Sequence, residues 1–212
     1  MKIHDRLLEH FGPQNWWPGD TPFEVCVGAI LTQNTNWGNV EKAINNLKAR
    51  KVLSPKALYE LPHGELAVLI KPSGYFNIKA ARLRHFLSFL VAENGGSIKR
   101  VFAGKLEDVR ERLLAVKGIG PETADSMILY AAGMPIFVID AYTKRIFSRL
   151  GFCAKDVSYH DIQGLFMKNV PSDAALYNEY HALLVMLGKH FCKPKPLCGA
   201  CPLNKMCAKA ST

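Results

Sequence analysis

No stretch of this 212-residue chain approaches the length of a membrane span, and Met1-Lys2-Ile3-His4-Asp5 does not open a signal peptide. Alternation of the β type never lasts more than a few residues, and neither an internal repeat nor a low-complexity linker is present. These absences argue against membrane, solenoid and mainly β architectures. The expectation is a soluble, intracellular protein that is almost entirely α-helical, acts as a monomer and has no membrane partner. Acidic residues are in short supply: 18 Asp and Glu face 27 Lys and Arg, for a net charge of +9. Residues 141–212 carry 10 basic and 4 acidic residues, so +6 of that surplus lies there. A surplus of this kind favours a polyanionic partner. Cysteine is sparse except at one place: Cys26 and Cys153 stand alone, while four of the six crowd between Cys192 and Cys207. In a reducing compartment such crowding points to a metal site rather than to disulfides. Hydrophobic residues make up 49%, enough for a full core at this length.

What the chain does have is organised around Leu113 to Arg145. Leu106, Val109 and Leu113 recur at helical spacing, as do Ala124, Met127, Ile128 and Ala131. Between them Lys117-Gly118-Ile119-Gly120-Pro121 is long enough only for a tight hairpin. Pro121 suits a first helical turn, and Gly118 and Gly120 allow a sharp turn with no side chain facing a partner. The free N–H groups of such a loop favour an anion such as phosphate. Gly133 and Pro135 end the second helix, and the apolar run Ile136 to Ile139 delivers Asp140 to the start of the next.

Other helices are expected over residues 1–13, 22–31, 39–50 and 54–61, the last closed by Pro62. A further helix runs to Val91 and ends at Gly95-Gly96. The C-terminal part should hold helices to about Leu150, over 158–169 and over 172–191. Asn15-Trp16-Trp17-Pro18-Gly19-Asp20 forms an aromatic loop, which by itself is compatible with a core plug.

Several of these segments together resemble the helix-hairpin-helix DNA glycosylases of the endonuclease III type. The shared elements are Leu-x-x-Val-Lys-Gly-Ile-Gly with Thr123-Ala124, Val138-Ile139-Asp140 with Arg145, Thr32-Gln33-Asn34-Thr35, and Gly74-Tyr75-Phe76-Asn77-Ile78-Lys79-Ala80. The resemblance covers most of the chain. It implies a helical-barrel domain over 22–135 containing the hairpin at about 106–133. A second helical domain would pair 1–21 with 136–212, with the active cleft between the two. Double-stranded DNA containing damaged bases would be the partner. Gln33 would fill the gap left by a flipped base, Tyr75 would wedge between bases, and Lys117, Gly118, Gly120 and Thr123 would belong to the DNA-facing hairpin. A monovalent cation bound by hairpin carbonyls is also expected from the family. A buried glutamine bonded to backbone and an ordinary helix corner are the plainer alternatives.

Cys192, Cys198, Cys201 and Cys207 follow C-x5-C-x2-C-x5-C. Only the middle pair is close, whereas structural zinc sites show two close pairs. A [4Fe–4S] cluster tolerates uneven spacing. The family carries that cluster on C-x6-C-x2-C-x5-C, one residue longer in the first gap, and zinc stays open as the alternative. Lys193, Lys195 and Lys205 add positive charge around the loop.

Asp140 suits a helix N-cap. The family uses the aspartate at this position to stabilise the oxocarbenium-like sugar as the glycosidic bond breaks. Members that also cut the strand place a lysine two residues after the second hairpin glycine. Here that residue is Glu122, which forms no imine. It would help the attacking water or cap its helix, and the resemblance thus implies hydrolysis without strand cleavage. Trp16, Trp17, Pro18 and Trp37 resemble the pocket of the endonuclease III-like 3-methyladenine glycosylases. A cationic alkylated purine stacks well on indoles. That pocket pattern belongs to members without the cluster, whereas this chain carries the cysteines. Removal of mismatched thymine, uracil or an oxidised base, or lesion binding without catalysis, are the rival readings.

Overall fold

The structure is a computed structural model and describes residues 1–208. Among the described residues it is helical without a strand. The chain divides into two compact units, one formed by Pro18–Ala132 and the other by Met1–Trp17 with Gly133–Thr212. The limits expected from sequence lie a few residues further along.

The Pro18–Ala132 unit contains α2 (Pro22–Leu31), α3 (Trp37–Ala49), α4 (Pro55–Glu60), α5 (His63–Leu69), α6 (Phe76–Ser88), α7 (Ile98–Val101), α8 (Leu106–Leu114) and α9 (Pro121–Ser126). At its centre is α2, buried from Phe23 to Leu31. A helix that is apolar all round belongs inside a core, and α2 packs against α3, α6 and α9. Its start is set locally, with Pro22 in the first turn and the Thr21 hydroxyl accepting from the Glu24 amide. Pro62 does not simply stop α4: it is also the residue from which α5 starts. The helices ending at Ser88 and Ser126 each continue as a five-residue π turn, Phe89–Glu93 and Met127–Ala131. The second of these keeps Met127, Ile128 and Leu129 buried against α2. The hairpin helices α8 and α9 are joined by Arg110, whose Nε and Nη2 donate to the two Asp125 oxygens at 2.7 and 3.2 Å. Asp125 is fully buried, so the bidentate geometry compensates its desolvation.

The other unit contains α1 (Lys2–Phe11), α10 (Ala141–Arg149), α11 (Tyr159–Asn169) and α12 (Ala174–His190), followed by the cysteine loop. Phe137 is its aromatic hub, stacked on Phe166 at 3.9 Å and meeting Tyr177 and Tyr180 edge-on. The extended run before α10 is fixed at two backbone points. Gln163 Nε2 donates to Phe137 O at 2.7 Å, and Ile139 N donates to the Tyr159 hydroxyl at 3.4 Å. The apolar run thus sets where Asp140 stands. Helices α10 and α12 approach closely because Gly188 has no side chain: a Cβ there would come within 2.4 Å of the Tyr142 ring.

Candidate functional site

In the Pro18–Ala132 unit, most of the polar residues of 32–36 do local work. Thr32 Oγ1 donates to Gly28 O at 2.7 Å and closes α2, and Asn36 caps α3 by accepting from Asn39 N. Asn34 turns the chain with a left-handed φ of 54°. Gln33 does something different, reaching across to the hairpin. Its Nε2 donates to Gly118 O at 3.2 Å and to Thr123 Oγ1 at 2.9 Å, while Arg82 Nη1 donates to its Oε1. The structure therefore brings Gln33, Gly118 and Thr123 together. Both ends of the amide are engaged, but Gln33 is half-buried and only its bond to Gly118 O is to backbone, so it matches the plainer alternative of a buried, backbone-bonded glutamine only in part.

The two hairpin glycines have different reasons. Gly118 needs to be glycine, since its φ is 93° and a Cβ would lie 2.5 Å from Arg82 Cγ. Gly120 has an ordinary φ of −95° and no neighbour within 4 Å of a Cβ among the described residues. Its bare surface is not something the local fold requires. Lys117 is exposed, and its carbonyl accepts from His85 Nδ1 at 3.0 Å. Glu122 is exposed on the first turn of α9, and its carbonyl accepts from Ser126 Oγ.

Tyr75 stands out of the same unit, 68% exposed with a left-handed φ of 46°. A bulky residue in that region is unusual and costs backbone energy. Ile78, three residues on, is also exposed. Trp37 opens α3 half-buried, and Pro18 is exposed.

In the other unit Asp140 is the N-cap of α10, with Oδ1 accepting from Thr143 N at 2.7 Å. Its Oδ2 lies 3.8 Å from Nε2 of the buried His181 on α12. Burial lowers the His181 pKa, and the Asp140 charge partly opposes that. One carboxylate oxygen thus serves the helix while the other faces an imidazole. Trp16 and Trp17 are half-buried and meet edge to face, centroids 5.4 Å apart and planes at 72°. The pair therefore offers no two parallel faces to a base.

Cys192, Cys198, Cys201 and Cys207 line one small cavity with Arg149. Among the described residues no three ligand-type side chains already form a group able to hold a single metal ion. Burial pushes the Cys201 thiol up, with a further upward contribution from the other three thiols. Arg149 Nη1 donates to Cys192 Sγ at 3.3 Å, and Arg145 Nε donates to Cys192 O at 2.7 Å. Four cysteines lining one cavity, with the Arg149 guanidinium on Cys192 Sγ, are the residues that could hold a thiolate-ligated centre.

Sequence reasoning missed Arg82, His85 and His181, each far in sequence from the group it contacts, so no local pattern marks it. Lys79 lies in the Gly74–Ala80 element read from sequence, but its burial on Leu31 O and Ser73 O was not foreseen.

A model of the HhH-GPD superfamily of base excision DNA repair proteins matches residues 27–172. The chain belongs to that superfamily. It is 47% identical over 97% of its length to a Methanocaldococcus jannaschii protein named as a candidate DNA repair glycosylase, of which 94% is covered. Among solved structures, a non-covalent endonuclease III–DNA complex superposes with a TM-score of 0.86 at 24% identity, covering 99% of this chain and 94% of that one. An H. pylori 3-methyladenine DNA glycosylase bound to 1,N6-ethenoadenine superposes with a TM-score of 0.78 at 29% identity, covering 89% of this chain and 96% of that one.

Proposed function

We propose that the protein is a DNA N-glycosylase that hydrolyses the glycosidic bond of alkylated purines, such as 3-methyladenine, without cutting the strand. The observation that carries the catalytic part is the held carboxylate of Asp140. Its Oδ1 is fixed on the Thr143 amide, and the side chain is only 13% exposed. Positive charge develops on the sugar as the C1′–N bond breaks, and a preorganised carboxylate stabilises it while water adds at C1′. An alkylated purine leaves with its ring charge neutralised and asks little of an acid. Glu122 is no imine-forming amine, in keeping with hydrolysis alone.

Double-stranded DNA is the expected partner. The bare Gly120, the exposed Lys117 and the surplus of basic residues favour contact with its phosphates. Tyr75 is the wedge and Gln33 the gap filler in this reading, with Arg82 and Thr123 holding the glutamine until it is used. Trp16, Trp17, Pro18 and Trp37 supply aromatic and apolar surface for the base. Because the two indoles are edge to face, stacking falls to one ring of the pair at a time. Cys192, Cys198, Cys201 and Cys207 would hold a [4Fe–4S] cluster, which when bound would order the loop after α12.

The test is excision from duplexes carrying 3-methyladenine, uracil or a thymine–guanine mismatch, followed by hot alkali. The expected result is alkali-labile sites in the alkylated duplex alone, with no break before alkali. Release from uracil or mismatch alone would reassign the lesion. No release from any duplex, with binding intact, would make this a lesion-binding module.

A further inference from the structure

Lys79 is 1% exposed inside the Pro18–Ala132 unit. A lysine so deeply buried needs partners for its ammonium. Its Nζ donates to Leu31 O at 2.8 Å and to Ser73 O at 2.6 Å. Burial, with a smaller push from the Arg82 charge, lowers its pKa to about 8.

The two acceptors are what make this more than a core contact. Leu31 is the last residue of α2, and Thr35 N bonds Thr32 O rather than continuing the helix. Two residues after Leu31 comes Gln33. Ser73 closes a 3-10 turn, and two residues after it comes Tyr75 with its left-handed backbone. One ammonium therefore joins the roots of the two segments that carry the gap filler and the wedge. The other end of Lys79 is anchored, since it lies in the first turn of α6 and its amide bonds Tyr75 O at 3.0 Å. Three turns of α6 also carry Arg82 and His85, which bond Gln33 and the Lys117 carbonyl. Helix α6 thus references both segments and the hairpin to one rigid body.

We infer that Lys79 is a positioning residue, whose ammonium fixes Gln33 and Tyr75 relative to each other so that they enter DNA as one unit. The inference rests on the wedge and gap-filler reading proposed above. Without the ammonium, each segment would still be tethered by its own helix, but the separation of the two would no longer be set.

The test needs no knowledge of the lesion. The probe is a duplex carrying a tetrahydrofuran abasic-site analogue opposite 2-aminopurine, compared with the same duplex intact. Lys79→Met and Lys79→Gln are measured beside Gln33→Ala and Tyr75→Ala, all after checking helicity and melting. For Lys79→Met the expected result is a loss of about ten- to thirtyfold in preference for the abasic duplex, with unchanged affinity for intact DNA and loss of the 2-aminopurine fluorescence change. Lys79→Gln, which keeps a donor, should recover part of the preference. In the Lys79→Met background, Tyr75→Ala should cost less than it does alone, since coupled residues are non-additive. Equal losses on both duplexes, additivity with Tyr75→Ala, or failure of both Lys79 variants to fold would assign Lys79 to the fold alone and overturn the inference. If Gln33→Ala and Tyr75→Ala themselves leave the abasic preference unchanged, the wedge reading falls first and takes this inference with it.

Discussion

Oδ2 of Asp140 lies 3.8 Å from Nε2 of His181, an imidazole on α12 that is 4% exposed. The carboxylate proposed for catalysis is therefore backed by a buried ring while its other oxygen caps α10. Asp140→Asn keeps the shape and the cap but removes the charge. Single-turnover excision should fall by about a hundredfold or more, with duplex affinity and melting temperature nearly unchanged. A near-native rate would leave Asp140 as a cap only.

His181 also makes stability depend on pH. Its folded pKa is lowered, mainly by burial, so the unfolded chain takes up the proton first as pH falls. The stability it contributes is present above the ordinary histidine value of about 6.5 and declines below it. Denaturant melts between roughly pH 7.5 and 5 should show a decline that His181→Gln reduces, if the neutral ring is what the fold holds.

The Arg110–Asp125 pair should matter for stability far more than a surface ion pair. Arg110→Ala takes the bidentate guanidinium from a fully buried carboxylate, an expected loss of about 3–5 kcal/mol in urea denaturation. Replacing both partners, as Arg110→Met with Asp125→Leu, should cost less than Arg110→Ala. The opposite order would mean that the pair itself supplies the stability.

Strand cleavage and the cysteine loop give two independent readouts. Borohydride should not trap the protein on substrate DNA, because Glu122 is no amine. Efficient trapping would reveal another nucleophilic amine. Freshly purified protein should be yellow-brown with about four irons per chain. A colourless protein with one zinc would replace the cluster and leave the glycosylase reading standing.

The edge-to-face tryptophans sharpen the test of the alkylpurine. Trp17→Ala should slow excision of 3-methyladenine by about ten- to hundredfold if Trp17 presents the stacking face, and Trp17→Phe by less. Unchanged rates in folded variants would assign the ring to packing.

Much of this protein is written locally. Helix starts at Pro22, Ser54, Ser158 and Asp173, the left-handed turn at Gly118, the capping of α10 by Asp140 and the cysteine spacing depend on residues a few positions apart. Short-range hydrogen bonds and backbone limits act at that range, so one-dimensional reading reaches them. The tertiary structure decided the rest. Lys79 sits in a run of helix where a lysine ordinarily faces solvent, yet it is buried on carbonyls 48 and 6 residues away. Gln33 meets Gly118 and Thr123 across 85 and 90 residues. Asp140 meets His181 on another helix, and Gly188 is needed only because Tyr142 packs on it. Such partners are chosen by how helices pack, which fixes distances in space that no sequence period records.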